Sequence, residues 1–245
     1  MLTPKPIEIT CPNCKLSDFC LPHGLQNAEV VRLAHIVRRK PPVQAHEPLY
    51  RQGFEGNSLY AIKSGSFRSY ATSLDGAEQT LGFYLPGELM GLDALQHSRY
   101  TCTSVALETA SVCELPLVRL NELCAHIPRL QHQLLRILGK EFAAGHDKII
   151  LLGHCSAQAK LATFLLTLSQ RYAALGFSAT VFNLPMARHD MANFLGLTIE
   201  TVSRQLLNLS QLGVISVKQR GIQIDNLALL KDVVSQSPSQ GRNAG

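Results

Sequence analysis

Three cysteines stand close together near the start of the chain, in "TCPNCKLSDFCLP" from Thr10 to Pro22. Cys11, Cys14 and Cys20 are separated by two and then five residues, among prolines, an Asn and an Asp. Cysteine usually hides inside a fold, and this stretch offers little that could build a core. Thiols grouped in a polar segment point to metal or redox chemistry. Three thiolates on one short arm leave a fourth position to fill. Four thiolates suit an iron–sulfur cluster. Cys₄ zinc is the rival on spacing alone, although zinc sites usually pair two short Cys-x-x-Cys units and only one is present here. Cys102, Cys113 and Cys124 are the nearer sources of a fourth ligand, and Cys155 is more remote. The ordinary role of such cysteines is that of small buried hydrophobes. His23, close to the arm, reads as a solvated loop residue.

The chain has 245 residues, 46% hydrophobic and 17% charged, with a formal net charge of +5. That length suits one large domain or two modest ones. The mildly basic balance permits an anionic partner such as DNA without demanding one; an ordinary basic enzyme fits the charge equally well. No long apolar run suggests a membrane span, and the first twenty residues lack the apolar core of a signal peptide. The expectation is a cytoplasmic chain with no membrane partner. In that reducing compartment seven cysteines, an odd number, do not form a disulfide framework.

A second group of residues could do chemistry on DNA. "LPMARHDMANFLGLTIETVSRQLLNLSQLGVISVKQRGIQIDN" reads as helix, tight turn at Gly196, helix, then two short strands about Arg220-Gly221. Helix–turn–helix followed by a hairpin is a winged-helix pattern. Thr198 is an N-cap candidate, with Thr201 where a capping box often carries Glu. Val202, Leu206 and Leu209 face inward. Ile199, Glu200, Ser203 and Arg204 share the outer side of the N-terminal turns, the part that enters a major groove. Arg204 can bond guanine O6 and N7, Glu200 can accept from a cytosine amino group, and Ser203 is adaptable. Arg188, at the start of the preceding helix, joins this DNA-facing set. Lys218, Arg220 and Gly221 mark the wing.

Other elements must position these groups. "NAEVVRLAHIVRR" (Asn27 to Arg39) is spaced for a short helix. From Pro41 to Pro116, short runs such as "SLYAIKSGSFRSYAT" and "EQTLGFYLPGELMG" are punctuated by glycines, with a hairpin turn at Asp75-Gly76. Closely spaced short strands suggest a β-barrel or jelly roll. In "IPRLQHQLLRILGKEFAAGHDKIILLG", Leu135, Leu138, Phe142, Gly145, Ile149 and Leu152 alternate by three and four, an a/d seam. A helix packed on its own domain and a two-stranded coiled coil joining two copies both satisfy that spacing. "AQAKLATFLLTLSQRYAALG" is an amphipathic helix ending at Gly176. The tail "SQSPSQGRNAG" is polar and reads as disordered.

"MARHDMANFLGLTIETVSRQL" resembles the helix–turn–helix signature of the CRP/FNR superfamily of bacterial transcription regulators. Arm, β-roll, long helix and winged helix follow in the superfamily's order over about residues 10 to 230. "CPNCKLSDFCLP", "SLYAIKSGS", "GAEQTLGFYLPGELMG", "ALETASVCELP" and "GLTIETVSR" are similar to segments of its FNR branch. The resemblance implies an α+β chain in five parts. These are an arm (1–24), a cupin-like, cyclic-nucleotide-binding-type β-roll (25–126), a dimerisation helix (127–153), a winged helix–turn–helix (154–233) and a tail (234–245). It implies a [4Fe–4S] cluster on Cys11, Cys14, Cys20 and Cys113. It also implies a homodimer on palindromic, TTGAT-type promoter sites read by Glu200, Ser203 and Arg204, contact with RNA polymerase through roll loops, and no enzymatic activity. Oxygen degrades the cluster in this branch, and the regulator leaves DNA.

Two positions depart from the branch. Lys15 follows Cys14 where Ser is usual, and Gly145 replaces an acidic seam residue, which removes a repulsion between paired helices. A cyclic-nucleotide-controlled regulator is the nearest rival. Glu88 in "PGELMG" suits a ribose, but "SRYTCTSV" places Tyr100 after Arg99, so the Arg-Ser pair that would hold a cyclic phosphate is not formed. A zinc- or thiol-controlled regulator is another. A cupin-type enzyme would need clustered His and carboxylates, whereas His46 and His97 stand apart.

Overall fold

Alternation of buried and exposed residues builds the strands of the first half. In Phe67–Thr72 the side chains of Phe67 and Ser69 point inward while Arg68 and Tyr70 are half-exposed, the period-two pattern of a half-buried strand. The computed structural model describes residues 11–235, and they divide into two compact units. One comprises the chain up to Asp75 together with Phe83–Lys140, the other Gly76–Gly82 together with the chain from Glu141 onward.

In chain order the first half holds a 3-10 turn at Cys11–Asn13, helix α1 (Asn27–Ile36), and strands β1 (Arg38–Arg39), β2 (Pro48–Tyr50), β3 (Ser58–Ser64), β4 (Phe67–Thr72), β5 (Glu78–Tyr84) and β6 (Leu89–Met90). Helix α2 (Ala94–His97), strands β7 (Thr103–Ala106) and β8 (Ser111–Pro116) and helix α3 (Leu117–His126) complete it. The strands form two four-stranded sheets, ordered β1-β8-β3-β6 and β2-β7-β4-β5. Leu59, Ile62, Phe67, Met90, Val112 and Leu120 belong to one core that draws on both sheets and α3. This is the jelly roll expected from the glycine-punctuated runs, with β4 and β5 flanking the turn at Asp75-Gly76.

Helix α4 (Pro128–His154) is continuous over 27 residues. Helix α5 (Ala157–Ala174), strand β9 (Val181–Asn183), helices α6 (Arg188–Leu195) and α7 (Ile199–Gln211), strands β10 (Ile215–Lys218) and β11 (Gly221–Ile224), and helix α8 (Leu227–Ser235) follow. Gly196 closes α6 in the left-handed region at φ 62°, where a side chain would be strained. The turn between the two helices therefore needs glycine.

Four expectations are corrected. The first helix ends at Ile36, and Arg38-Arg39 form a strand on β8; backbone pairing to the sheet replaces the last helical turn. The arm does contribute to burial: Leu21 is 1% exposed within the core that also takes in Leu33. Segment polarity concealed that one apolar residue. The wing has a third strand, β9, paired with β11 through Phe182 opposite Ile222. Helix α8, with Leu230 buried, extends through Val234 and Ser235, the start of the expected tail. The rest of the tail and the first ten residues lie outside the described residues.

Candidate cysteine site and nucleic-acid interface

The arm is wound by successive turns that use the cysteine carbonyls. Cys14 N–H donates to Cys11 O at 3.2 Å, Ser17 N–H to Cys14 O at 3.1 Å, and His23 N–H to Cys20 O at 3.1 Å. Leu21 then anchors the arm in the core. Cys113 sits in β8 between two neighbours, opposite Arg39 of β1 and Ala61 of β3. These placements bring Cys11, Cys14, Cys20 and Cys113 to one recess, walled by Leu16, Leu21, Leu33, Val37, Ile62 and Leu115 and edged by Lys63.

The recess raises the cost of ionising its thiols. Burial, then the neighbouring Cys113 and Cys14, push the Cys11 thiol up to about 11. Burial, with the other three cysteines adding to it, pushes Cys20 up to about 12. Cys113 is raised by burial and Cys14, and drawn back by Lys63 and Arg39. Four thiols lining one apolar recess could hold an iron–sulfur cluster. Among the described residues, no three His, Cys, Asp or Glu side chains are already gathered at the spacing of a single bound ion. Cys102 and Cys124 lie buried elsewhere in the same core, 7% and 8% exposed. Burial pushes Cys102 up to about 12. Both keep the role of small hydrophobes.

Arg99 and Tyr100, at the place where a cyclic phosphate would be held, are engaged within the fold. Arg99 Nη1 donates to Gly53 O at 2.7 Å. Tyr100 is buried, its ring stacked on Tyr50 at 4.1 Å and its hydroxyl donating to Ser58 O at 2.8 Å.

In the second unit, Thr198 caps α7 by accepting from Thr201 N–H at 3.2 Å. Val202, Leu206 and Leu209 are buried, so the outward face is the predicted one. Ile199, Glu200 and Arg204 are exposed and Ser203 is half-buried. Arg188 Nη1, on α6, donates to Ser203 Oγ at 3.2 Å, bringing the two helices' polar residues together. Arg204 Nη2 donates to Thr201 Oγ1 at 3.4 Å. The Glu200 carboxyl is held below its ordinary value by its own backbone N–H and by the Thr198 hydroxyl. Lys218 and Arg220 flank the β10–β11 turn and are exposed.

A clasp in this unit had no signal in the sequence. Asn193 of α6 imitates a neighbouring strand: its Nδ2 donates to Glu78 O at 2.7 Å, and its Oδ1 accepts from Thr80 N–H. Gln79 Nε2 donates to Asn193 O at 2.7 Å. Lys148 of α4 donates to Thr80 O at 2.8 Å and Leu81 O at 3.0 Å, and lies 4.2 Å from the Phe194 ring centroid.

Along α4 the predicted seam splits. Leu135, Phe142 and Ile149 are 59%, 69% and 70% exposed, with Gly145 between them also exposed. Leu138 packs partly against the first unit's own core, and Leu152 lies near Gly196 of the second unit. No helix among the described residues is long and apolar enough to cross a membrane.

The sequence profile of the "Cyclic nucleotide-binding domain" family matches residues 41–126, and that of the "Crp-like helix-turn-helix domain" matches residues 159–233. The "Anaerobic regulatory protein" of Aggregatibacter actinomycetemcomitans is 44% identical over 222 residues, 91% of this chain and 86% of that protein. "Regulatory protein HlyX" of Actinobacillus pleuropneumoniae is 43% identical, covering 89% of this chain and 91% of that protein. The "Fumarate and nitrate reduction regulatory protein" of Escherichia coli K12 is 39% identical, covering 96% and 92%. Among solved structures, FixK2 from Bradyrhizobium japonicum superposes with a TM-score of 0.75 at 28% identity, covering 81% of this chain and 97% of that one. A cysteine-lined recess on a jelly roll, a winged helix–turn–helix, and identity of this degree along most of its length place the chain in the FNR branch of the CRP/FNR superfamily of transcription regulators.

Proposed function

We propose that this chain is an oxygen-responsive transcription regulator. Cys11, Cys14, Cys20 and Cys113 hold a [4Fe–4S] cluster, and the cluster-loaded homodimer binds palindromic, TTGAT-type promoter sites when oxygen is absent. The carrying observation is that these four cysteines, three from the arm and one from β8, line one recess. When bound, the cluster supplies the oxygen-labile chemistry. The protein's residues do the rest: the arm turns aim the thiols, Leu21 seats the arm, and β8 fixes the fourth ligand. Binding energy at the recess adds to the seating of the arm and, through α3, bears on the first turns of α4. There Leu130 and Leu134 are buried in the same core.

Paired copies would meet along the exposed α4 stripe and present two α7 helices roughly 34 Å apart, one DNA turn. Glu200, Ser203 and Arg204 then read bases, with Thr198, Ile199 and Arg188 beside them. RNA polymerase contact falls to the roll loops, such as the β4–β5 turn where Leu74 is fully exposed. Activation or repression depends on where the site lies in a promoter.

Protein purified without air should be brown and contain iron and sulfide, and should bind a palindromic TTGAT-type operator more tightly than the same sample after exposure to air. Cys20→Ser or Cys113→Ser should lose the colour and the anaerobic gain, while Cys102→Ala keeps both. A colourless, zinc-bearing wild type, or equal affinity before and after cluster removal, contradicts the reading.

A further inference from the structure

We propose that Arg39 and Lys63 are the charge partners of the cluster on Cys11, Cys14, Cys20 and Cys113, and set its reduction potential. The inference rests on the cluster reading above. Strand β1 is only two residues long, and its register places Arg39 opposite Cys113 and Arg38 opposite Glu114. Residues directly opposite in an antiparallel pair share a face, with Cβ atoms about 4.5–5.5 Å apart. The Arg39 side chain therefore starts on the thiol's side of the sheet. Lys63 comes from the other neighbour of β8. The β3–β8 ladder shifts between Ile62 and Ser64, leaving Lys63 at the irregularity, and Lys63 edges the recess.

Other cations also stand nearby. Lys40 Nζ lies 3.7 Å from the Glu114 carboxylate and 5.3 Å from the Tyr60 ring centroid. Lys15 is exposed on the arm.

Four thiolates around an iron–sulfur cube carry net negative charge, and reduction adds one more. A fixed cation beside apolar walls attracts that added electron more strongly than it would in bulk water. Net charge and solvent exposure are among the properties that set cluster potentials. Removing either cation should therefore lower the potential and ease oxidation. Arg39 is itself exposed, so salt should screen its part.

The test uses the full chain loaded and kept without air, with iron and sulfide measured in every sample and the potential read by spectroelectrochemistry. Arg39→Gln and Lys63→Gln are expected to shift the oxidised-to-reduced ratio at fixed poise several-fold toward oxidised. Arg39→Lys should stay near wild type, and Lys40→Gln should move it less. Salt should also narrow the difference in potential between wild type and Arg39→Gln, because Arg39 is exposed and its charge is screened. Unchanged potentials in fully loaded Arg39→Gln and Lys63→Gln overturn the proposal. If those variants hold no cluster, a several-fold shift in loaded Lys40→Gln overturns it, because the charge effect is then not particular to Arg39 and Lys63. A wild type that takes up no iron and sulfide overturns the underlying cluster reading instead.

Discussion

The guanidinium of Arg188 and the hydroxyl of Ser203 are hydrogen-bonded at 3.2 Å, joining the first residue of α6 to the outward face of α7. Ser203 is thus positioned from another helix. Arg188→Ala should weaken operator binding, and its effect should not add to that of Ser203→Ala, because neighbours sharing one bond couple. Arg204→Ala differs in kind. It should cost about 1–3 kcal/mol per half-site and relax base preference, so a fluorescence-anisotropy titration on scrambled DNA should show a smaller loss than on the operator. Additive effects for the Arg188 and Ser203 changes would show that the bond does not shape the reading face.

Leu21 ties the cysteine arm to the roll through apolar burial. Leu21→Ala in metal-free protein should lower stability by about 2–5 kcal/mol, the range for truncating a buried leucine. Denaturant unfolding measures it. Limited proteolysis should also cut the arm sooner in the variant. Equal stability and cutting would mean that the arm is seated by the cluster alone.

Gly145 carries no charge, and the exposed stripe around it holds Phe142 and Ile149. Analytical ultracentrifugation of the metal-free chain should find some dimer at micromolar concentration rather than pure monomer. Gly145→Asp should abolish that residue of dimer by placing like charges on the facing helices. Ile149→Glu should separate the copies even when the cluster is present.

Burial lowers the Lys148 amine to about 8 from an ordinary 10.5. Between those values the unfolded chain binds the proton and the folded chain gives it up. Stability contributed by this group therefore rises with pH across that window, and below it the folded chain carries the full desolvation cost. Lys148→Met should flatten the stability profile between pH 8 and 10.5. Chemical denaturation at several pH values would read the difference from wild type, which cancels the cysteines that titrate nearby.

Local chemistry made the winged helix legible. Thr198 as cap, Gly196 as left-handed turn and Val202, Leu206 and Leu209 as inward face each follow from residue type and spacing, and each is found. The arm cysteines were legible for the opposite reason, because three thiols in a polar segment stand out, although Cys20 does pack against the core. The choice of Cys113 over Cys102 and Cys124 was not legible in spacing; it came with the family resemblance. The structure shows the physical difference, since only Cys113 shares a recess with the arm. The seam could be listed but not apportioned. A period of three and four cannot tell that Leu138 turns toward its own core while Phe142 does not. Asn193's contact with Glu78 and Thr80 joins residues more than a hundred positions apart, beyond the reach of any local pattern.

That last contact bears on how the protein can be dissected. The DNA-reading half is not a contiguous stretch: a fragment beginning at Glu141 would leave behind the seven-residue ribbon Gly76–Gly82. The carboxamide of Asn193 and the amine of Lys148 would then face bulk solvent. An excised C-terminal piece is accordingly a poorer reading head than the same residues in the intact chain, and supplying the ribbon as a separate peptide should restore part of what was cut away.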